Sequence, residues 1–155
     1  MRLDPAGEDL PDASGLRIAV ATATFNESVT SGLKAGALDW LRSAGAVHVT
    51  EADVAGAFEL PLVAGALTAD HDGVVALGAV IEGETDHYDH VAHRASEGLM
   101  RVMLNTGVPV SFGILTVRDP AHAIDRSMPG PRNKGAEAAA AAVETALLLK
   151  EIRRG

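Results

Sequence analysis

Apolar positions follow two alternating rhythms along the chain. Leu16 to Ala23 reads LRIAVATA, a short apolar run with β-branched residues, and predicts a buried strand. From Glu27 to Ala44, Val29, Leu33, Ala37 and Leu41 recur at helical spacing, and Gly45 supplies a stop. Val47 to Val54 alternates as a strand does, and Glu59 to Ala69 returns to a helical pattern. Val74 to Ile81 is continuously apolar, which predicts a strand buried on both faces. A long helix over Asp86 to Leu104, a strand over Val108 to Thr116 and a short helix over Pro120 to Arg126 follow. An alanine-rich helix from Lys134 to Arg153 ends the series. Its alanines at 138–142 predict a smooth face for close packing.

Strands alternating with helices predict a parallel sheet covered on both sides. The expected architecture is a three-layer α/β sandwich, flavodoxin-like, with a four-stranded parallel sheet flanked by helices. Residues 1–15 read as an N-terminal arm and 16–155 as a single domain. In such folds ligands bind beyond the carboxyl ends of the strands. Three loops should share that edge: Thr24-Phe25-Asn26, Ala55 to Glu59, and Glu82 to His87.

Composition narrows the chemistry. The 155 residues contain no cysteine, which removes disulfides, thiolate metal sites and cysteine nucleophiles. The formal charge of -8, without a basic run, argues against nucleic-acid binding. No apolar run approaches the ~20 residues of a membrane span, and the acidic, proline-bearing start is unlike a signal peptide. A cytoplasmic location is the expectation. Aromatics make up only 3%, yet Phe25 and Phe58 both fall in the ligand-edge loops, with Phe112 in the last strand. Filling of the core is the ordinary role of phenylalanine. Two on the ligand edge of so aromatic-poor a chain point instead to stacking on a planar ligand.

Segment 78–91, GAVIEGETDHYDHV, runs from a glycine-bearing loop into a helix with His87 in its first turn. Free amides at a helix start attract anions, phosphate included, and a histidine beside them can move protons near neutral pH. A plain surface histidine is the bland reading. His87, His90 and His93, interleaved with Asp86 and Asp89, also permit a metal-binding face, but steps of three drift around a helix, so no metal site is expected. Glu59 is either a helix-start acid favoured by the dipole or an acceptor for ligand hydroxyls. Arg126, ending the short helix, is either a dipole-compensating cation or a phosphate fork. A helix after the fourth strand runs back toward the far edge of the sheet. Arg126 can therefore join His87 only in a neighbouring subunit's site, which predicts an oligomer with sites at its interfaces.

The segments Phe25-Asn26, Gly56 to Pro61, Gly78 to Ile81 with Gly83, Thr85, His87, Tyr88 and Asp89, Phe112 to Thr116, Ala123 to Arg126 and Asn133 to Gly135 occur in this order. Together they resemble the motifs of the lumazine synthase family over about residues 16–153. The resemblance implies condensation of 5-amino-6-ribitylaminouracil with 3,4-dihydroxy-2-butanone 4-phosphate to 6,7-dimethyl-8-ribityllumazine, the penultimate step of riboflavin biosynthesis, with no metal or organic cofactor. It implies His87 for proton transfer and Arg126, from a neighbour, for the phosphate, with the amides of Glu84 and Thr85 beside it. Phe25 would stack on the pyrimidine next to Asn26. Ala57 and Glu59 would bind the ribityl chain, with Phe58 also among the substrate-binding residues, and Val80 and Ile81 would border the ring through their backbone. Phe112 and Lys134 would close the pocket from the neighbour. Family members assemble as pentamers, paired pentamers or icosahedral shells, and the short link from Arg126 to Asn133 favours the shell. Riboflavin synthase is the expected protein partner. Glu82 stands where the family usually has a basic residue, and Glu84 adds a second acid. These acids are what favours the alternative, a non-catalytic flavin- or lumazine-binding shell protein of the same fold.

Overall fold

The computed structural model describes residues 3–4 and 9–155. The elements run β1 (Arg17–Ala23), α1 (Glu27–Ser43), β2 (His48–Val54), a 3-10 turn (Ala57–Glu59), α2 (Leu60–Leu67), β3 (Gly73–Ile81), α3 (His87–Thr106), β4 (Val110–Val117), α4 (Pro120–Ser127) and α5 (Lys134–Arg154). All strand pairs are parallel, in the order β2-β1-β3-β4. This is the expected flavodoxin-like sandwich with a four-stranded sheet. Successive strands leave β1 in opposite directions, so the topological switch point lies between β1 and β3, where such sheets open a crevice at their carboxyl ends.

Strand side chains alternate between two cores. Ile18, Val20, Val75, Leu77 and Leu115 face α1 and α5, whereas Ala19, Ala21, Val74, Ala76 and Ile114 face α2 and α3. β3 is buried along nearly its whole length, as its continuous apolar run predicts. The alanine face of α5 is also as expected: Ala138, Ala139, Ala142 and Ala146 are buried against α1 and the sheet. There α1 and α5 approach so closely that a Cβ on Gly135 would overlap the Leu33 carbonyl oxygen.

Several boundaries differ from the sequence reading, each for a local reason. The helix expected from Glu59 starts as a 3-10 turn at Ala57, and α2 proper takes Pro61 into its first turn, where a missing N–H costs nothing. β4 begins at Val110 because Pro109 has no amide to donate. Its carbonyl still accepts from Val74 N at 2.9 Å. α3 runs on to Thr106 and stops at Gly107, which takes a positive φ of 69°. The arm expected at 1–15 lies partly outside the described residues. At its described end Ala13 is buried and donates its amide to Ala44 O at 2.8 Å.

Candidate active site

The chain leaves β1 through a short, well-pinned bend. Thr24 N and Phe25 N donate to Val54 O and Ala55 O, at 2.8 and 3.0 Å, carrying the β1–β2 ladder past the strand end. Asn26 then adopts a left-handed backbone (φ 64°, ψ 48°), which asparagine tolerates better than most residues. Its side-chain Nδ2 donates to Ala79 O at 2.9 Å, tying this bend to β3 across the switch point. Phe25 is thereby held pointing outward, 71% exposed.

After β2, Ala57 is buried while Phe58 and Glu59 are exposed. Glu59 stands at the N-cap of α2 without a capping hydrogen bond, so its carboxylate stays free while it sits at the positive end of the helix dipole. Its carboxylate folds back toward Gly56, where a Cβ would crowd Glu59 Oε2 at 3.1 Å. After β3, Val80 is buried and Ile81 half-buried, and they pair with Thr116 and Val117. Residues 82–87 are all exposed. Among the described residues, no hydrogen bond within the protein engages the amides of Glu84 or Thr85. Thr85 Oγ1 accepts only a long bond from His87 N, at 3.4 Å. Asp86, at the N-cap, does not cap α3 with its side chain. This helix start thus retains free donors, the condition for receiving an anion. Of the histidines here, His90 Nε2 lies 3.3 Å from Asp86 Oδ2. Among the described residues no group of three or more His, Cys, Asp or Glu is placed to hold a metal ion.

The other predicted residues gather elsewhere. β4 is an edge strand, and a groove of about 500 Å³ runs along it, lined by Phe112, Arg126, Lys134 and Glu137 together with strand and α5 residues. None of Phe25, Asn26, Ala57, Phe58, Glu59, Val80, Ile81, Glu84, Thr85 or His87 lines it. Arg126 Nη1 donates to His122 O at 3.1 Å, an ordinary helix-end bond, while its side chain also borders the groove. Lys134 occupies the first turn of α5, where the helix dipole disfavours a cation. Glu137, one turn on, offsets this at 2.8 Å from Lys134 Nζ. The sequence reading did not single out Glu137; its spacing of three from Lys134 was the available signal.

All three phenylalanines are largely exposed, Phe58 at 61% and Phe112 at 51%, so none serves as core filling. Phe25 and Phe58 lie in loops beyond the carboxyl ends of the strands, and Phe112 lines the β4 groove.

The geometry can be set beside known proteins. Residues 15–150 match the family model described as 6,7-dimethyl-8-ribityllumazine synthase. A protein of that name from Kineococcus radiotolerans is 49% identical, over 91% of this chain and 89% of the relative. One from Corynebacterium glutamicum is 46% identical, over 94% and 92%. One from Mycobacteroides abscessus is 44% identical, over 96% and 98%. Likeness at this level along nearly the whole of both chains is family membership, and the chain belongs to the 6,7-dimethyl-8-ribityllumazine synthase family.

Proposed function

We propose that the protein condenses 5-amino-6-ribitylaminouracil with 3,4-dihydroxy-2-butanone 4-phosphate to give 6,7-dimethyl-8-ribityllumazine and phosphate. The observation that carries the mechanism is the division of the candidate residues into two groups. The ligand edge offers an exposed aromatic, a free carboxylate, unengaged amides and a histidine. The β4 groove offers two cations and an aromatic. The edge segments carry no lysine or arginine and the groove carries no histidine, so a second copy of the chain presenting its groove to this edge completes the site.

In the completed site Phe25 stacks on the pyrimidine, with Asn26 beside it and the backbone of Val80 and Ile81 at its rim. Ala57, Phe58 and Glu59 hold the ribityl chain, Glu59 accepting from its hydroxyls. Arg126 of the neighbour and the amides of Glu84 and Thr85 hold the phosphate, by a charged fork on one side and the start of α3 on the other. The neighbour's Phe112 and Lys134 close the pocket. The primary amine of the pyrimidine attacks the ketone and loses water to form an imine. Phosphate is eliminated to leave an enol that tautomerises to a ketone, and the ribityl-bearing nitrogen attacks that carbonyl and closes the ring with loss of a second water. His87 carries protons between these steps. Holding two small reactants in register supplies much of the acceleration.

This reading goes with a domain over 16–155 and a homo-oligomer built of pentamers, up to an icosahedral shell. It also goes with a cytoplasmic location and with riboflavin synthase, which consumes the product, as a partner. The test is turnover: lumazine fluorescence followed after mixing protein with both substrates, against the slow uncatalysed reaction. A rate well above background, with the protein eluting as a multiple of five chains, is expected. Tight product binding without acceleration would overturn it in favour of the non-catalytic binding shell.

A further inference from the structure

The acids of the loop after β3 stand beside the amides proposed to hold phosphate, where like charge should weaken binding. The structure shows how one of them is handled. Glu82 N donates to Val117 O at 2.9 Å, extending the β3–β4 ladder by one step and bringing Glu82 alongside Arg118. Glu82 Oε2 lies 3.1 Å from Arg118 Nε, so the carboxylate is drawn sideways to the end of β4. The arginine side chain is 87% exposed, and an ion pair this open adds little to stability. Its consequence is local charge. Glu82, Glu84, Asp86 and Asp89 crowd one turn and its loop; Arg118 pairs with Glu82, and His90 Nε2 lies 3.3 Å from Asp86 Oδ2. A unit charge within about 10 Å, the screening length at 0.1 M salt, still acts on a bound anion.

We infer that Arg118 is a positioning residue for phosphate binding: by pairing with Glu82 it holds that carboxylate off the free amides of Glu84 and Thr85 and neutralises it. The inference rests on the assignment of phosphate to those amides.

The experiment compares wild type, Arg118→Ala, Arg118→Ala with Glu82→Gln, and the exchanged pair Glu82→Arg with Arg118→Glu. Affinity for inorganic phosphate is measured by calorimetry at low and high salt, and KM for each substrate by the fluorescence assay. Arg118→Ala should weaken phosphate and raise KM for the butanone phosphate by about fivefold at low salt, as expected for one uncompensated charge. KM for the ribitylaminouracil should stay within about twofold. Salt should shrink the difference, and both double variants should recover phosphate affinity. Phosphate affinity unmoved in Arg118→Ala, or no recovery in either double variant, overturns the inference. Absence of turnover in wild type, with phosphate affinity responding as described, would sink the synthase reading and leave this inference standing.

Discussion

Asn133 Nδ2 donates to the carbonyl of Ser127 at 3.1 Å, so the residue preceding Lys134 holds the residue following Arg126. The same amide group reaches Met128 O and Gly32 O, each at 3.1 Å, and Asn133 Oδ1 accepts from Ala136 N at 3.0 Å as the N-cap of α5. One side chain, 3% exposed, therefore sets the end of α4, the start of α5 and their seat on α1. Both groove cations sit on elements that it fixes.

Replacing Asn133 by alanine removes a helix cap and strips one buried and two partly buried carbonyls of their donor. A loss of about 2–4 kcal/mol is expected. Asn133→Asp keeps the capping oxygen but sets a carboxylate against three carbonyl oxygens, so at neutral pH it should be no more stable than the alanine variant. Thermal unfolding at one fixed protein concentration checks both. An aspartate variant close to wild type would mean that the cap, and not the amide donors, matters.

The packing of α1 on α5 makes a second demand. Gly135 lies against the Leu33 carbonyl, and Gly36 leaves the space that the Asn133 side chain fills. A methyl group at either position must push the helices apart or displace Asn133. Gly135→Ala should cost about 3 kcal/mol, a large overpacking penalty, although alanine is the better helix former. Gly65→Ala is the control. It sits in α2, where the nearest atom to an added Cβ is 3.7 Å away, and it should be neutral or slightly stabilising. Equal unfolding midpoints for the two variants would contradict the packing argument.

The strands and helices were legible because their periodicities are strong and their order admits few topologies. The gathering of the loops after β1, β2 and β3 at one edge was legible, since a parallel sheet brings such loops together. The β4 groove was not legible in any local pattern, although the family resemblance grouped Phe112, Lys134 and Arg126 on the neighbour's side. It needs the outer edge of β4, the end of α4 and the first turn of α5 at once, and no local pattern encodes that meeting. Asn133 shows the same limit. It entered the sequence reading only within the Asn133 to Gly135 motif, and its bond to Gly32, 101 residues away, has no local signature. The partner of Glu82 was likewise hidden until β3 and β4 were in register.

Thr22 Oγ1 is buried in β1 with no hydrogen-bond partner among the described residues. Such a hydroxyl costs more than it returns. Thr22→Val keeps the shape and β-branching and removes the unmet group, so stability should rise by about 1 kcal/mol. A fall in the unfolding midpoint would show that the hydroxyl is satisfied in the assembled protein, by a neighbouring copy or by an ordered water.

The last prediction separates anchoring from proton transfer. Arg126 presents a planar charged fork from the groove, and hydrogen bonds to a charged group are worth about 1.5–3 kcal/mol. Arg126→Ala should therefore lower kcat/KM by roughly 10- to 100-fold, with most of the loss tracking the butanone phosphate. His87 is exposed, and its ring makes no hydrogen bond within the described residues. Holding the reactants in register is proposed to supply much of the acceleration, so loss of a proton carrier costs less than loss of the phosphate anchor. His87→Ala should slow turnover by less than Arg126→Ala and leave both KM values nearly intact. If His87→Ala proves the more damaging, proton transfer limits the reaction, and positioning supplies the smaller part of the acceleration. Mixing the two variants gives a further check. Each mixed interface joins one chain's edge to another's groove, so a boundary carrying the intact His87 of one chain and the intact Arg126 of the other would recover activity that neither variant has alone. No recovery after the subunits are dissociated and reassembled together would mean that both residues serve the site from the same chain.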